Sequence, residues 1–386
     1  MTKVEDHLSQ VQIIEALNTK RLIICCGAGG VGKTTTAAAL ALAGARLGKQ
    51  VLALTIDPSK RLAQTLGVDR NTPEPVLLSR ERLTKLKVPK EGAVHAWLLD
   101  PKLISDQVVN EEAGEEASTL KANLIYQQIS SIVAGMQEYT AVEALHQFIK
   151  EDKYDLIILD TPPSRHTLRF IDSPDRVASF LDKRIFKLFV PSQGSLIGKV
   201  ASKLIDEVLD RAFGEVTRKE LKQFFELFSR LLDHLNQNQT EMAKVFRSHD
   251  VLFYLITTAR EDAVDEAQRF ALEVEKRALM LGGFLVNRCP RYLNETIDVD
   301  IISQRFNELL SRKRRSQDEQ EAMMTLQKLF QEPMKTTIHT ENLRLNTIDK
   351  LSKLGPVSLL QELNIDGSTL EGISELAQQI LQPLDH

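Results

Sequence analysis

Residues 22–47 read LIICCGAGGVGKTTTAAALALAGARL, and the fold follows from them. Leu22-Ile23-Ile24-Cys25-Cys26 is a short apolar run bounded by glycine, the pattern of a strand buried on both faces. It breaks into Gly27-Ala28-Gly29-Gly30-Val31-Gly32-Lys33-Thr34, which satisfies G-x-x-x-x-G-K-[ST] at every required position, and runs on into an alanine-rich helix. The chemistry explains the spelling. Glycines let backbone N–H groups close around phosphate oxygens, the helix N-terminus adds its positive dipole end, and Lys33 adds a full charge. Thr34 is placed to offer its hydroxyl to Mg²⁺, with Thr35 directly behind it.

Outward from this stretch, Gly48-Lys49-Gln50 turns the chain into a second strand, Val51 to Ile56, completing a βαβ unit with parallel strands. The helix between them is apolar on nearly all sides, as burial between two layers demands. Residues 8–18 read as an amphipathic helix leading into the first strand, and Ala93 to Leu99 as a third strand. Residues 102–150 read mostly as helix, with an acidic patch at Glu111-Glu112-Ala113-Gly114-Glu115-Glu116. Leu156-Ile157-Ile158-Leu159 is a continuous apolar strand closed by Asp160. From 172 to 250 apolar residues recur at helical spacing, for example Leu221, Phe224, Phe225, Phe228 and Leu232. Strand signals return at Val251 to Thr257 and Gly283 to Asn287, with a helix over 261–280 between them, and a short strand is expected at Lys335 to His339 before C-terminal helices. The expectation is one α/β domain over residues 1–386. Its sheet is a doubly wound, mainly parallel P-loop sheet, and a helical subdomain is inserted at about 102–150 and 172–250.

Composition narrows the function. The 386 residues are 42% hydrophobic and 26% charged, ordinary for a globular chain, and a net charge of −4 gives no support to nucleic-acid binding. Three cysteines, two adjacent, make neither a disulfide framework nor a C-x-x-C pair. The first residues, MTKVED, are polar and acidic, unlike a signal peptide, and no run of about eighteen apolar residues occurs. A cytoplasmic location is expected. Arg312-Lys313-Arg314-Arg315 is followed by Asp318, Glu319 and Glu321, which reads as a solvated helix face.

Hydrolysis needs more than a P-loop: a carboxylate in the Mg²⁺ shell and a group that orients the attacking water. Asp160 stands where a Walker B carboxylate closes its strand, and Asp57 lies just past the second strand. Both should face the crevice at the carboxyl ends of the strands. The strand ending Val286-Asn287-Arg288-Cys289-Pro290 lacks the aspartate of a guanine-reading N-K-x-D, so adenine is favoured, with the Asn287 amide the candidate to hydrogen-bond the base.

Four segments together resemble the ArsA family. They are Gly27 to Thr36, then Asp57-Pro58-Ser59-Lys60-Arg61-Leu62, then Asp160-Thr161-Pro162-Pro163-Ser164-Arg165-His166-Thr167-Leu168-Arg169, then Val286-Asn287-Arg288. The family includes arsenite-efflux ATPases and ATPases that target tail-anchored membrane proteins, and it belongs to the dimeric P-loop class of MinD and ParA. The resemblance spans about residues 20–345. It implies ATP and Mg²⁺ as ligands, with Gly27, Ala28, Gly29, Gly30, Val31, Gly32, Lys33, Thr34 and Thr35 cradling phosphate, and Asn287 with Arg288 at the base. It also implies that Asp57 polarises the attacking water, and that Asp160 joins Thr34 and Asp57 around the metal. The partners it implies are a second copy or a related ATPase chain, and a membrane-protein client or anion-transport partner. A slow, MinD-like nucleotide switch is the alternative output.

Two departures from the family pattern matter. Members usually carry a second, signature lysine directly before the glycine pair, and here that residue is Ala28. Cys25 and Cys26, as neighbours on a strand, point to opposite faces and do not readily share an ion, so they read as small buried hydrophobes. Arsenite activation and a zinc-pinned dimer are therefore not expected. In the 172–250 insertion, Met242 and the run Phe186-Lys187-Leu188-Phe189-Val190-Pro191 suit either a client groove or ordinary helix packing. Arg165, where the family string has a small residue, is a candidate to supply the charge that Ala28 lacks. An arginine at developing phosphate charge is worth about 10³–10⁵ in rate. Arg165→Ala is thus expected to lower phosphate release by about 10³ or more without loss of nucleotide binding; unchanged turnover would assign Arg165 to loop ion pairing.

Overall fold

Leu22–Cys26 forms β1 with every side chain buried, as its apolar spelling requires. The computed structural model describes residues 2–56, 74–122, 137–172, 237–289 and 343–382, with single positions 66, 72, 211, 214, 215, 308, 325 and 340 between them. The strands are β1, β2 (Gln50–Thr55), β3 (Val76–Leu77), β4 (Ala93–Leu98), β5 (Leu156–Asp160), β6 (Val251–Thr257), β7 (Leu281–Cys289) and β8 (Val357–Gln361). They make one sheet in the order β3-β4-β2-β5-β1-β6-β7-β8. Every pairing is parallel except the short edge strand β3, which runs antiparallel to β4.

The labelled helices are α1 (Thr2–Thr19), α2 (Lys33–Arg46), α3 (Arg80–Lys85), α4 (Pro101–Ala113), α5 (Ala117–Ala122), α6 (Gln137–Glu151), α7 (Ser164–Ile171), α8 (Glu261–Lys276) and α9 (Leu370–Leu381). Strand alternation distributes the sheet's side chains between two cores. Leu22, Ile24 and Cys26 pack with Leu54, Leu159 and Phe253 under α4, α6 and α8. Ile23 and Cys25 pack with Val51, Ala53 and Ile158 under α1, α2 and α9. Both faces are covered, so the sheet is doubly wound as expected.

The βαβ unit holds with one refinement. β1 and β2 are parallel, but β5 lies between them: Ile158 is in register with Ile23 on one side and Ala53 on the other. β3 and β8 were not expected from the sequence. β3 is only two residues long, and β8 is followed by polar turn residues that weaken a strand reading. The helix expected over 261–280 stops at Lys276, where Ala278 takes a positive φ and Leu281 opens β7. The expected strand at 335–339 lies outside the described residues. So does most of the 172–250 insertion, whose returning end is helical over 237–246. Among the described residues no helix is long and apolar enough to cross a membrane.

α2 lies directly on the sheet, and Gly44 marks a close approach. A Cβ there would stand 2.9 Å from Leu156 Cδ2 and 3.2 Å from Val51 Cγ2. Gly44→Val is therefore expected to destabilise the fold by about 1–3 kcal/mol through overpacking, read as a lower denaturation midpoint.

Candidate functional site

The P-loop leaves β1 at Gly27 and is pinned at both ends. Gly27 passes so close to β6 that a Cβ would fall 2.1 Å from the Ile256 carbonyl oxygen. At Gly32, with φ +92°, a Cβ would fall 2.2 Å from Asn287 Nδ2. Both positions tolerate only glycine. Between them, a Cβ on Gly29 or Gly30 would meet nothing within 4 Å, so the middle of the loop borders open space. Lys33 is the first residue of α2 and is buried, and its ammonium donates to the Ala28 carbonyl at 2.7 Å, folded over the loop. The Ala28 methyl packs against the core beneath α2.

Asp160 ends β5 and is fully buried. Its Oδ2 accepts hydrogen bonds from Thr34 Oγ1 at 2.9 Å and from Thr55 Oγ1 at 3.1 Å. A carboxylate and a hydroxyl converging beside the P-loop form a hard oxygen donor pair, which fits Mg²⁺ bound largely through phosphate and water. The metal would neutralise charge on the phosphates of a bound nucleotide. Asp57 lies outside the described residues. Ile56, directly before it, donates its amide to the Asp160 carbonyl at 3.1 Å, so the chain leaves β2 alongside Asp160.

Beyond Asp160, the Thr161 hydroxyl donates to the Cys25 carbonyl at 2.7 Å, and Thr167 Oγ1 lies 2.8 Å from both Thr161 Oγ1 and the Pro162 carbonyl. These bonds tie the D-T-P-P segment to β1 and to α7. The backbones of Arg165 and His166 belong to α7; their side chains are outside the described part. Cys25 and Cys26 face opposite cores. Burial pushes the Cys26 thiol up to about 12 despite Thr161 and Lys33, and raises Cys25 well above the ordinary range, with Asp160 adding to it. Both are held as neutral thiols.

Asn287, on β7, does more than border the site. Its Nδ2 donates to the Val31 carbonyl at 3.0 Å and its Oδ1 accepts from the Arg288 amide at 2.9 Å, so the carboxamide braces the P-loop. Asn287 and Arg288 also line a cleft of about 980 Å³ together with Gly29, Gly30, Gly32 and Lys33 to Thr35. The opposite wall went unforeseen in the sequence. Glu362, Leu363 and Ile365 to Ser368 form it, in the turn between β8 and α9. Asp366 shapes that turn, its Oδ1 accepting from the Ser368 amide at 2.9 Å and hydroxyl at 2.7 Å, and Thr369 caps α9. The short stretch Val357-Ser358-Leu359-Leu360 before a D-G-S-T turn was the available signal.

The family model described as anion-transporting ATPase matches residues 20–357. The chain belongs to that family. This ArsA-family ATPase is 23% identical over 287 residues to the ATPase get3 of Aspergillus terreus, a match covering 74% of this chain and 78% of that protein. It is 26% identical to the ATPase GET3 of Ajellomyces dermatitidis over 199 residues, 50% of this chain and 56% of the relative. It is 30% identical to the ATPase get3 of Schizosaccharomyces pombe over 162 residues, 42% of this chain and 44% of the relative. The last two matches thus span about half of each relative's length. The family match runs slightly past the expected 345, but β8, the far wall of the cleft and α9 lie at or beyond its end.

In this ArsA-family ATPase the Asn287 brace acts on the P-loop backbone, at the Val31 carbonyl. Asn287→Ala leaves the Val31 carbonyl without its donor, a loss of about 1–3 kcal/mol. The expected result is roughly tenfold weaker Mg-ATP binding with an intact fold, read by titration calorimetry alongside circular dichroism.

Proposed function

We propose that the P-loop cleft binds Mg-ATP and that hydrolysis there drives a conformational change that handles a membrane-protein client or an anion-transport partner. The contact between Thr34 and the buried Asp160 carries this reading, because it joins the phosphate-binding loop to a metal-shell carboxylate at the sheet's carboxyl edge. Lys33 neutralises phosphate charge, and the amides of residues 27–35 cradle the phosphate oxygens. Thr34 and Asp160 hold Mg²⁺. Asp57, two residues beyond β2, orients the attacking water. The base sits between Asn287, Arg288 and the wall at 362–368, where Ile365 is 43% exposed and offers an apolar face. Asp160, at the end of β5, begins the segment that leads through α7 into the helical insertion. A change at the metal site therefore has a short covalent route to residues 172–250.

The unit that works is a dimer, with a second copy or a related ATPase chain. Ala28 supplies no charge across that interface, so Arg165 or the partner chain provides it. The matched relatives carry the name ATPase, which favours energy coupling over a slow switch.

Lys33→Ala is expected to abolish measurable Mg-ATP binding. Asp57→Asn should keep that binding while lowering phosphate release by about 10² or more, and should hold a client complex that the wild type releases. Phosphate release that rises on adding a detergent-solubilised single-span membrane protein supports client handling. Turnover indifferent to both Asp57→Asn and the added client would overturn it.

A further inference from the structure

Arg46 ends α2, well away from the P-loop residues at the helix's other end, and it belongs to neither the phosphate cradle nor the metal shell. Each nitrogen of its guanidinium nevertheless donates a hydrogen bond. Nη1 donates to the Ser374 carbonyl at 3.1 Å, Nη2 to Ser374 Oγ at 2.5 Å, and Nε to the Leu86 carbonyl at 3.0 Å. Ser374 lies in the early turns of α9, so a forked, charge-assisted clamp fastens α9 to the P-loop helix.

α9 is in turn interlocked with the turn before it. A Cβ on Gly372 would fall 2.4 Å from the Asp366 carbonyl oxygen and 2.7 Å from Gly367 Cα, so the first turn of α9 rests directly on residues 366–367. Gly367 reaches back to the P-loop helix: its own Cβ would stand 3.4 Å from Thr35 Cγ2. Leu376 of α9 also lines the cleft. The clamp, the helix and the turn thus form one continuous packed path from Arg46 to the cleft wall.

We propose that Arg46 is a positioning residue for nucleotide binding: by clamping α9 to the P-loop helix through Ser374, it holds residues 362–368 against the cleft and sets affinity for the nucleoside part of the nucleotide. The inference rests on the reading of the cleft as a Mg-ATP site. Phosphate affinity should not depend on Arg46, because the cradle is pinned separately, by β6 at Gly27 and by Asn287 at Gly32. Nucleoside affinity should, because an unclamped wall must be ordered at the moment of binding.

The test compares Mg-ATP with Mg-tripolyphosphate, which carries the phosphates alone, by calorimetry on the full chain. Arg46→Gln is expected to weaken Mg-ATP about tenfold and Mg-tripolyphosphate less than twofold, with faster amide exchange over 362–368. Gly372→Ala approaches the same path from its other end. Alanine favours the helix, so its methyl acts only by pushing the 366–367 turn away, and it should give the same split. If Arg46→Gln does not fold, Gly372→Ala decides alone. Equal weakening of both ligands, or no change in either, overturns the proposal. A wild type that binds tripolyphosphate but gains nothing from the nucleoside overturns this inference and leaves the P-loop assignment standing. A wild type that binds neither overturns the Mg-ATP reading itself.

Discussion

A fully buried carboxylate at the end of a central strand is costly unless donors converge on it, and Asp160 is in that position. Thr34 and Thr55 approach one of its oxygens from the P-loop helix and from β2. One donor comes from the helix that follows β1 and the other from β2, and β5 lies between those two strands, so the site exists only when β1, β5 and β2 are in register. That register is set by apolar side chains: Ile158 between Ile23 and Ala53, and Leu159 between Ile24 and Leu54. Hydrophobic burial thus aligns the strands, and the alignment brings a hydroxyl to a carboxylate.

The same economy governs the P-loop. Its ends are fixed by close contacts that exclude any side chain at Gly27 and Gly32, while its middle faces open space. A rigid frame around an open cradle lets backbone amides meet an anion without reorganising. Asn287 extends the frame to β7 through the Val31 carbonyl, and the turn after β8 closes the far side. The helix carrying Lys33 and Thr34 is so deeply packed that movement at its N-terminus is resisted along the whole face lying on the sheet.

Much of this was legible in the sequence, for identifiable reasons. β1, β4, β5 and β6 begin where their apolar runs begin, since a strand buried on both faces has no polar position to blur its edges. The opposite facing of Cys25 and Cys26 follows from the strand period, and the two residues do lie in different cores. β3 is too short to leave a periodic signal, and β8 shares its signal with the turn that follows. The bracing of the P-loop by Asn287 was hidden for another reason. An asparagine at a strand end reads as a base contact or a turn, and nothing nearby in the chain says that its amide faces Val31.

The sequence by itself determined the βαβ unit, the glycine cradle with Lys33 and Thr34, and the aspartate closing β5. Each is written in residues adjacent along the chain, where backbone sterics and side-chain period act locally. Only the tertiary structure decided that β5 separates β1 from β2, that Asn287 holds Val31, and that residues 362–368 wall the cleft under a clamp from Arg46. Those contacts join residues 256 and 328 positions apart. Their partners are selected by how whole layers pack, and no local pattern in the chain encodes them.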